Sequence, residues 1–371
     1  MKILMIGADP SFRGDKEKVE NKFKLYADLG HELVLVDLLV GAPSMILDGN
    51  VKFYCFGGKN KFHALLKNFI GVYNICREAK NKGHNFDVVT SQDLIYTGML
   101  GLFAAKLCKI NLVPQVHGDY IDNPLWLKQS RLRPLENIIA KYILRNVQFV
   151  RTVSKRINKD LEKYTLGKKV VSSPIGTSFK AYYPQNPLPE NRNKQLLFVG
   201  RLIEEKNPKL FCEIAKKVLE KDGGYNIAFA GSGIMQKELE QFFLANNLQS
   251  NVTFYGQCNS DKLRDLYQNS LCYVHTALWE GWGMPMVESI ASGCPVITTD
   301  SGCVGEAIVD NVHGFVCAPL VDNFVEKIFM LENDKRLQKT FAENGVRDCK
   351  VWELDYQTKV VINLLQDASK K

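Results

Sequence analysis

Two carboxylates and a proline mark the stretch of this sequence that is best suited to chemistry. Glu280 lies in a glycine-rich turn after an apolar run, and Glu288 lies further on, in a segment with helical periodicity. Pro285 suits the first turn of a helix, so a helix is expected to begin there. Backbone N–H groups at a helix start lack partners and attract anions. The pattern predicts an anion site beside two carboxylates.

Cations for such an anion follow a different apolar run. Residues 195–199 are typical of a buried strand, and Arg201 and Lys206 come directly after it, before Pro208 opens the next helix. We expect this guanidinium and ammonium to bind the anion. The structural alternatives are an ordinary exposed cation pair, and two carboxylates that only stabilise a helix start.

Short β-rich runs alternate with helical patterns along the whole chain, which predicts parallel sheets with helices on both faces. The predicted strands are 3–6, 32–36, 51–56, 87–90, 112–116, 148–152, 195–199, 226–230, 252–255, 271–274, 295–298 and 314–317. The predicted helices are 16–29, 61–83, 94–108, 130–146, 154–164, 208–221, 234–246, 261–268, 285–292, 303–310 and 322–331. A proline-rich linker around 174–193 separates a domain of residues 1–180 from a domain of residues 190–345.

Composition limits the class of protein. A chain of 371 residues with 46% hydrophobic residues can form two ordinary cores. No apolar run approaches the roughly 18 residues that a membrane span needs, so a cytoplasmic protein is expected. The 10 cysteines are scattered through apolar segments, which favours buried thiols over disulfides, and we assign no metal site.

The chain resembles a known enzyme family in five motifs that occur in the family's order. These are Gly200-Arg201 with Lys206, Ala230-Gly-Ser-Gly233, Phe254-Tyr-Gly256, the Glu280 and Glu288 pair, and Gly293-Cys-Pro295-Val. The family is that of the retaining, nucleotide-sugar-dependent glycosyltransferases of family 4. The resemblance implies the GT-B fold, an α/β architecture of two doubly wound Rossmann-like domains facing across a cleft. It also implies that the last segment, residues 346–371, forms a helix that crosses back to the N-terminal domain.

The resemblance assigns roles to individual residues. Glu288 would accept the ribose hydroxyls, Glu280 would contact the transferred sugar, and Arg201 and Lys206 would bind the diphosphate. His117, directly after a predicted strand, would reach the sugar and acceptor region, whereas His275 is expected to be a packing residue. The residues expected to line the nucleotide site are Gly14, Gly231, Gly233, Gly283, Met284, Met286, Val287 and Glu288. Two departures are Arg13 and Cys303, which stand where the family usually has glycine.

The expected activity is transfer of a hexose or related sugar, with retention, from a nucleotide-diphosphate sugar to a glycan or lipid-linked acceptor in surface polysaccharide or glycolipid assembly. UDP- and GDP-sugars are the expected donors, and neither a cofactor nor a metal is expected. Three alternatives remain: a nucleotide-sugar epimerase of the same fold, a phosphorylase-like enzyme, and a sugar-nucleotide-binding scaffold without activity. The intact set of charged residues argues against a scaffold, and no pyridoxal-phosphate lysine motif stands out for a phosphorylase.

Positive charge is concentrated in the first half of the chain. Residues 1–185 carry 28 Lys and Arg against 16 Asp and Glu, a net charge of +12, while the whole chain carries +8. An anionic membrane surface is therefore a candidate partner of the N-terminal domain, peripheral on the inner face, and no nucleic acid is expected. Within the basic stretch 128–169, apolar positions 132, 135, 139 and 142 share one helical face. An ordinary helix that buries this face against the sheet is the alternative.

Overall fold

We analysed a computed structural model, which describes residues 1–8, 23–38, 40–174, 177–185, 188 and 192–370. The chain forms two compact units. The first unit comprises Met1–Ile175 with Gln357–Lys371, and the second comprises Gly176–Tyr356. Each unit is a mainly parallel sheet with helices packed on it.

The described part of the first unit contains an eight-stranded sheet in the order β3-β4-β2-β1-β5-β6-β7-β8. Its strands are β1 (Lys2–Gly7), β2 (Glu32–Asp37), β3 (Ser44–Asp48), β4 (Val51–Cys55), β5 (Val88–Ser91), β6 (Leu112–Val116), β7 (Phe149–Thr152) and β8 (Lys169–Ser172). Neighbouring strands are parallel except for β3, which is antiparallel to β4 at one edge. Strands such as β1 are nearly continuous apolar runs because both faces of a parallel sheet are covered.

Three helices of the first unit pack side by side on one face of this sheet. They are α1 (Lys61–Asn81), α2 (Tyr96–Cys108) and, after the short α3 (Pro124–Lys128), α4 (Arg133–Arg145). Helix α1 contacts α2, and α2 contacts α4. Residues 23–28 are also helical, and two short helices, α5 (Lys155–Asp160) and α6 (Glu162–Thr165), precede β8.

In the second unit, the described residues form a six-stranded sheet in the order β11-β10-β9-β12-β13-β14, with every pairing parallel. Its strands are β9 (Gln195–Val199), β10 (Asn226–Ala230), β11 (Val252–Phe254), β12 (Cys272–His275), β13 (Val296–Thr299) and β14 (Gly314–Cys317). Its helices are α7 (Pro208–Lys221), α8 (Gln236–Ala245), α9 (Ser260–Asn269), α10 (Met284–Ala291), α11 (Val321–Asn333) and α12 (Lys335–Asp348).

An aromatic cluster holds β9 and β10 in place in the second unit. The Phe229 ring stacks on Phe254 with 4.5 Å between centroids and meets Phe211 edge to face at 5.1 Å. Phe198 of β9 lies against both Phe211 and Phe229. Burying one such side chain contributes roughly 1.5–3 kcal/mol. The strand ends, and the loops that follow them, therefore start from a rigid base.

The last helix, α13 (Leu354–Ser369), passes from the second unit to the first. Its buried residues Val361 and Leu365 belong to the same core cluster as Ile3 of β1 and Leu33 of β2. The Asn111 side-chain amide donates to the carbonyl of Ala368 at 2.9 Å, which ties the end of the helix to the loop before β6.

The structure confirms an α/β fold with two parallel-sheet, Rossmann-like units, and the predicted strands are present with shifts of one or two residues. The sequence analysis missed β3, β8, α3 and α12, most of which are short or polar. The predicted helix at 303–310 is wrong. Gly302 and Gly305 have positive φ, and the Cys303 carbonyl accepts the N–H groups of Glu306, Ala307 and Ile308, so this stretch is a series of turns.

Candidate functional site

Two neighbouring strands of the second sheet carry the predicted cations and carboxylates to one edge. Strand β9 leads to the turn Glu204–Lys206, and its parallel neighbour β12 leads to the loop before α10. The Thr276 hydroxyl lies 3.1 Å from the Lys206 carbonyl and 2.9 Å from that of Asn207, and donates to this pair of oxygens. The Leu278 N–H donates to the carbonyl of Glu205 at 3.0 Å. These bonds fix the two loops to each other.

Lys206 and Glu280 meet in an ion pair between the Lys206 Nζ and a Glu280 carboxylate oxygen. Their side chains are only 13% and 14% exposed, so water screens this pair far less than a surface pair. The other Glu280 oxygen accepts the N–H of Gly281 at 3.2 Å. The sequence analysis assigned these two residues to different parts of a ligand, whereas the structure pairs them with each other.

Arg201 differs from Lys206 in its exposure to solvent and in its carboxylate contact. Its side chain is 68% exposed and reaches a carboxylate oxygen of Glu205 at 3.5 Å, the upper limit for a hydrogen bond. An exposed pair of this kind contributes little to stability. The guanidinium can therefore change partner at low cost, which the Lys206 ammonium cannot.

Two glycines make room for the Glu280 side chain. Gly283 has φ +90° and Gly302 has φ +55°, and a Cβ atom at these positions would lie 3.2 Å and 2.9 Å from the Glu280 Cγ. The Cβ at Gly302 would also meet the Trp282 carbonyl at 2.4 Å. Any side chain at Gly302 would displace the Glu280 side chain, so this glycine shapes the site.

Helix α10 begins directly at the site with Gly283 in the left-handed conformation, and no described side chain caps it. Pro285 removes one N–H in the first turn. The side chains of Met286 and Val287 are completely buried, and the Met286 sulfur accepts the Thr298 hydroxyl at 3.5 Å. These two predicted nucleotide-site residues can therefore reach a ligand only through their backbone. Met284 is partly exposed.

Glu288, in the same helix, is held by tyrosines. The Tyr267 hydroxyl lies 3.3 Å from a Glu288 oxygen and 3.1 Å from the Pro285 carbonyl, and the Tyr182 hydroxyl also bonds this carboxylate. Burial raises the pKa of Glu288 above its ordinary value, while the two tyrosine hydrogen bonds act in the opposite direction. The sequence analysis missed both tyrosines, because nothing local in their segments marks them.

The loops after β9 and β10 are packed backbone to backbone. A Cβ on Gly231 would lie 2.0 Å from the Gly200 carbonyl oxygen, and a Cβ on Gly233 would lie 2.3 Å from that of Leu202. The Gly231 N–H also donates to the Gly256 carbonyl at 2.7 Å. Chain packing alone thus requires Gly231 and Gly233, whichever ligand lies nearby.

His117 stands at the end of β6 in the first unit, and a buried network orients its ring. Gln115 Oε1 accepts from Arg151 Nη1 at 2.5 Å and lies 3.1 Å from His117 Nε2. Because a guanidinium only donates, this atom must be the amide oxygen, and His117 Nε2 must carry a proton. The Gln115 amide nitrogen then donates to the Thr90 hydroxyl at 3.0 Å, as this orientation requires.

The network depends on Arg151, which is buried among backbone carbonyls. Arg151 donates to the Ser173 carbonyl at 3.1 Å and the Pro174 carbonyl at 2.6 Å. Burial lowers the pKa of Arg151 to about 10, so the side chain remains cationic at neutral pH. Arg151 belongs to the basic stretch 128–169, but its side chain supports β7 and Gln115, so it does not face an anionic partner.

Gly14, Arg13 and His275 are the other residues that the sequence analysis singled out. Gly14 and Arg13 lie outside the described residues. His275 is buried, with its Nδ1 2.8 Å from the Tyr273 hydroxyl, and burial lowers its pKa to about 4, so the ring is neutral at physiological pH. Among the residues that the structure describes, no group of three His, Cys, Asp or Glu side chains could hold a metal ion.

Comparison with known proteins finds a family match within the second unit. Residues 180–348 match the family model of glycosyl transferases group 1, a range that contains both carboxylates and both cations. This part of the chain is similar to group 1 glycosyltransferases. An uncharacterized glycosyltransferase of Methanocaldococcus jannaschii is 27% identical over 76% of this chain and 76% of its own length.

Two relatives of the group 1 domain have names that describe an activity. The alpha-monoglucosyldiacylglycerol synthase of Streptococcus pneumoniae is 24% identical over 63% of this chain and 56% of its own length. The phosphatidylinositol N-acetylglucosaminyltransferase GPI3 subunit of Saccharomyces cerevisiae is 23% identical over 58% of this chain and 50% of its own length. The chain thus matches about half of each of these proteins.

Solved structures share the fold along the whole chain. The sucrose-phosphate synthase of Thermosynechococcus elongatus has a TM-score of 0.77, with 17% identity, 100% of this chain and 98% of that chain covered. The Anabaena protein HepE in complex with UDP has a TM-score of 0.75, with 16% identity and 99% and 100% coverage. At such identities the likeness shows the fold alone.

Proposed function

We propose that the protein transfers a hexose or related sugar, with retention and without a metal ion, from a nucleotide-diphosphate sugar to a glycan or lipid-linked acceptor. One observation carries the proposal: within the group 1 domain, the Lys206–Glu280 ion pair lies at the strand-end edge beside an uncapped helix start. A largely buried ammonium next to a carboxylate is expensive to maintain without a function.

The charges fit the chemistry of the transfer. Cleavage of the bond between the anomeric carbon and the diphosphate leaves positive charge on the sugar and extra negative charge on the leaving oxygen. Fixed cations in a site with little water stabilise that oxygen, and a carboxylate stabilises the sugar. Lys206 is held in place by Glu280, whereas exposed Arg201 is free to turn towards the diphosphate. Together the two cations stabilise the negative charge of the leaving diphosphate, which is part of what a metal ion does in other enzymes.

Glu288 is suited to hold the ribose of the nucleotide. The tyrosine hydroxyls restrict its carboxylate, and burial strengthens each hydrogen bond that the carboxylate accepts. We expect the two ribose hydroxyls to donate to the remaining acceptor positions. The structural neighbours add support for a UDP donor, since HepE has been solved with UDP and with UDP-glucose. A GDP-sugar is the other donor that we propose.

The named relatives support a lipid-linked acceptor. One is named for a product with a diacylglycerol moiety and the other for phosphatidylinositol, although the chain matches only about half of each. Surface glycolipid or polysaccharide assembly, on the inner face of the membrane, is the setting that we propose.

Donor binding tests the proposal first. Thermal denaturation is measured with UDP, GDP, ADP and their sugars, because a ligand at about 100 times its Kd adds roughly 2.7 kcal/mol to stability. Donor turnover is then followed by proton NMR, where an α-anomer donor should give an α-linked product. EDTA should leave the rate unchanged. Inversion of configuration, or loss of activity with EDTA that Mg²⁺ restores, would contradict the proposed mechanism.

The same NMR experiment separates the alternatives. A nucleotide-sugar epimerase would convert the sugar without any acceptor, and the nucleotide would either stay attached or be released. A transferase needs an acceptor for turnover. A scaffold would bind nucleotide and convert nothing. The complete set of Arg201, Lys206, Glu280 and Glu288 favours the transferase, because binding the diphosphate alone would need the cations but no carboxylate beside the transferred sugar.

A further inference from the structure

The helices on one face of the first sheet expose apolar residues at helical spacing. In α4, the side chains of Leu135, Ile138 and Tyr142 are 56%, 63% and 53% exposed, and Leu132, just before the helix, is 60% exposed. The sequence analysis offered burial of this face against the sheet as the alternative to membrane contact. That alternative is wrong, because the opposite side of α4 faces the core.

The buried side of α4 combines apolar and polar residues. Ala140, Ile143 and Leu144 pack in the core, and Glu136 and Asn137 are buried beside them. Glu136 pairs with Arg133 at 2.8 Å and accepts the Tyr96 hydroxyl at 2.8 Å, and Asn137 donates to Asp122 at 3.0 Å. A rotation that buried the apolar stripe would leave these groups without their partners, at a cost of about 1–3 kcal/mol for each. The exposed stripe is therefore a settled feature of the fold.

Helix α1 repeats the pattern. Phe62, Leu66, Ile70 and Tyr73 are 79%, 51%, 55% and 42% exposed and follow one another at helical spacing. Helices α1 and α4 flank α2 on the same face of the sheet, so their outward sides point the same way. We define the outer apolar face as the exposed stripes of these helices. Its members are Phe62, Leu66, Ile70, Tyr73, Leu132, Leu135, Ile138 and Tyr142.

Cations border this face. Lys67, Lys106, Arg131 and Arg145 are exposed on or beside the three helices. The Arg145 guanidinium also lies 5.8 Å from the Tyr164 ring. Two further cations nearby have carboxylate partners inside the unit. Arg133 pairs with Glu136 and lies 4.4 Å above the Trp126 ring, and Lys141 pairs with Asp122.

We propose that the outer apolar face docks on an anionic lipid bilayer, with its side chains in the interfacial layer and its bordering cations on the headgroups. Apolar residues flanked by Lys and Arg are the combination that binds helices in the plane of a membrane surface. Tyr73 and Tyr142 suit this position because tyrosine is amphipathic. A second copy of the chain is a poorer occupant, since a symmetric contact would place the same cations opposite one another.

The docking surface deepens the proposed function, because it would bring a lipid-linked acceptor to the enzyme, but its test does not depend on turnover. The full chain is sedimented with vesicles of phosphatidylcholine alone and with vesicles of equimolar phosphatidylcholine and phosphatidylglycerol, at low and high salt. Binding should require the anionic lipid and weaken with salt. No described helix is long and apolar enough to cross a membrane.

One triple variant combines Leu135→Ser, Ile138→Ser and Tyr142→Ser, and should lower the partition coefficient by at least about tenfold. A matched control changes three exposed apolar residues of the second unit, Ile234→Ser, Leu244→Ser and Leu320→Ser, which are 91%, 61% and 61% exposed. The control should bind as the unchanged protein does. Equal loss in both variants, or no loss in the first, would overturn the proposal.

Hydrogen exchange of the unchanged protein adds a measurement without substitutions. Vesicles should protect peptides from α1 and α4, and protection confined to other segments would overturn the proposal. Sedimentation equilibrium without vesicles would also overturn the proposal if it showed that the unchanged protein is a dimer and the triple variant a monomer. Donor turnover that persists while vesicle binding fails would refute the docking surface alone. Vesicle binding without any turnover would refute the proposed function alone.

Discussion

The two units present their candidate functional residues in different ways. In the second unit, Lys206 and Glu280 follow adjacent strands and pair directly with each other. In the first unit, His117 has its orientation set by Gln115, which depends in turn on Arg151 of the next strand. The first arrangement places opposite charges together, and the second links a buried charge to the imidazole ring of His117 through the Gln115 amide.

The difference suggests different responses to substitution. Direct charge contacts act on the developing charges of a reaction, so their loss should reduce the rate steeply. An orienting network acts on geometry and on the tautomer, so its loss should reduce stability and release the histidine ring from a single tautomer. The four predictions that follow test this contrast, in order of decreasing expected effect.

The largest effect is expected at the direct charges. Lys206→Ala and Arg201→Ala should each lower kcat by about 10²- to 10³-fold, because a fixed donor to the leaving diphosphate is lost. Steady-state kinetics measure this. Lys209→Ala is a matched control, since Lys209 is 58% exposed and pairs with Glu238 of α8 rather than with Glu280. An equal loss in the Lys209 variant would show that the effect reflects general charge.

The two glutamates of the same site should separate binding from turnover. Glu288→Ala should weaken the affinity for free nucleoside diphosphate, because the ribose loses its acceptor, whereas Glu280→Ala should lower kcat and leave that affinity nearly unchanged. Isothermal titration calorimetry and kinetics measure the two quantities. Tyr267→Phe removes only the hydroxyl that contacts Glu288, and should weaken nucleotide binding less than Glu288→Ala does. The opposite pattern would mean that the roles are exchanged.

Substitution of Gln115 in the orienting network should mainly change the stability of the protein and the tautomer of His117. Gln115→Leu leaves an Arg151 N–H buried without its acceptor, which costs about 1–3 kcal/mol. Nitrogen-15 NMR of His117 should show the proton on Nε2 in the unchanged protein and a mixture of tautomers in this variant. Gln115→Glu keeps an acceptor for both neighbours and should preserve more of the stability. If the proton were found on Nδ1 in the unchanged protein, the network would not orient His117.

The smallest effect is expected in how the stability of the protein depends on pH. Burial raises the pKa of Glu288 in the folded protein above its ordinary value of 4.5, so the unfolded chain loses this proton first as the pH rises. The stability associated with Glu288 is therefore present below pH 4.5 and is lost as the pH passes through the raised value. Urea denaturation across pH 4 to 8 should show a decline that Glu288→Gln lacks. Parallel curves for the two proteins would contradict the raised pKa.

Several features were determined by the sequence alone. The alternation of apolar runs and helical patterns predicted the two parallel sheets, because strand and helix periods are local properties. Glycine marked the turns at Gly200 and Gly283, and proline marked the start of α10 at Pro285, for the same reason. Arg201, Lys206 and Glu280 lie close to these positions in the sequence, so the candidate residues could be found before their contacts were known.

Only the tertiary structure decided which partners these residues have. Lys206 pairs with Glu280, Tyr267 contacts Glu288, and buried Arg151 donates to Gln115. Each of these contacts joins segments that are well separated in the sequence. An amphipathic pattern also leaves open which side of a helix meets the sheet. In α4, the buried side carries Ala140, Ile143 and Leu144 together with the hydrogen-bonded Glu136 and Asn137. The apolar stripe on the other side stays exposed, because this orientation buries apolar surface and also keeps the partners of both polar groups.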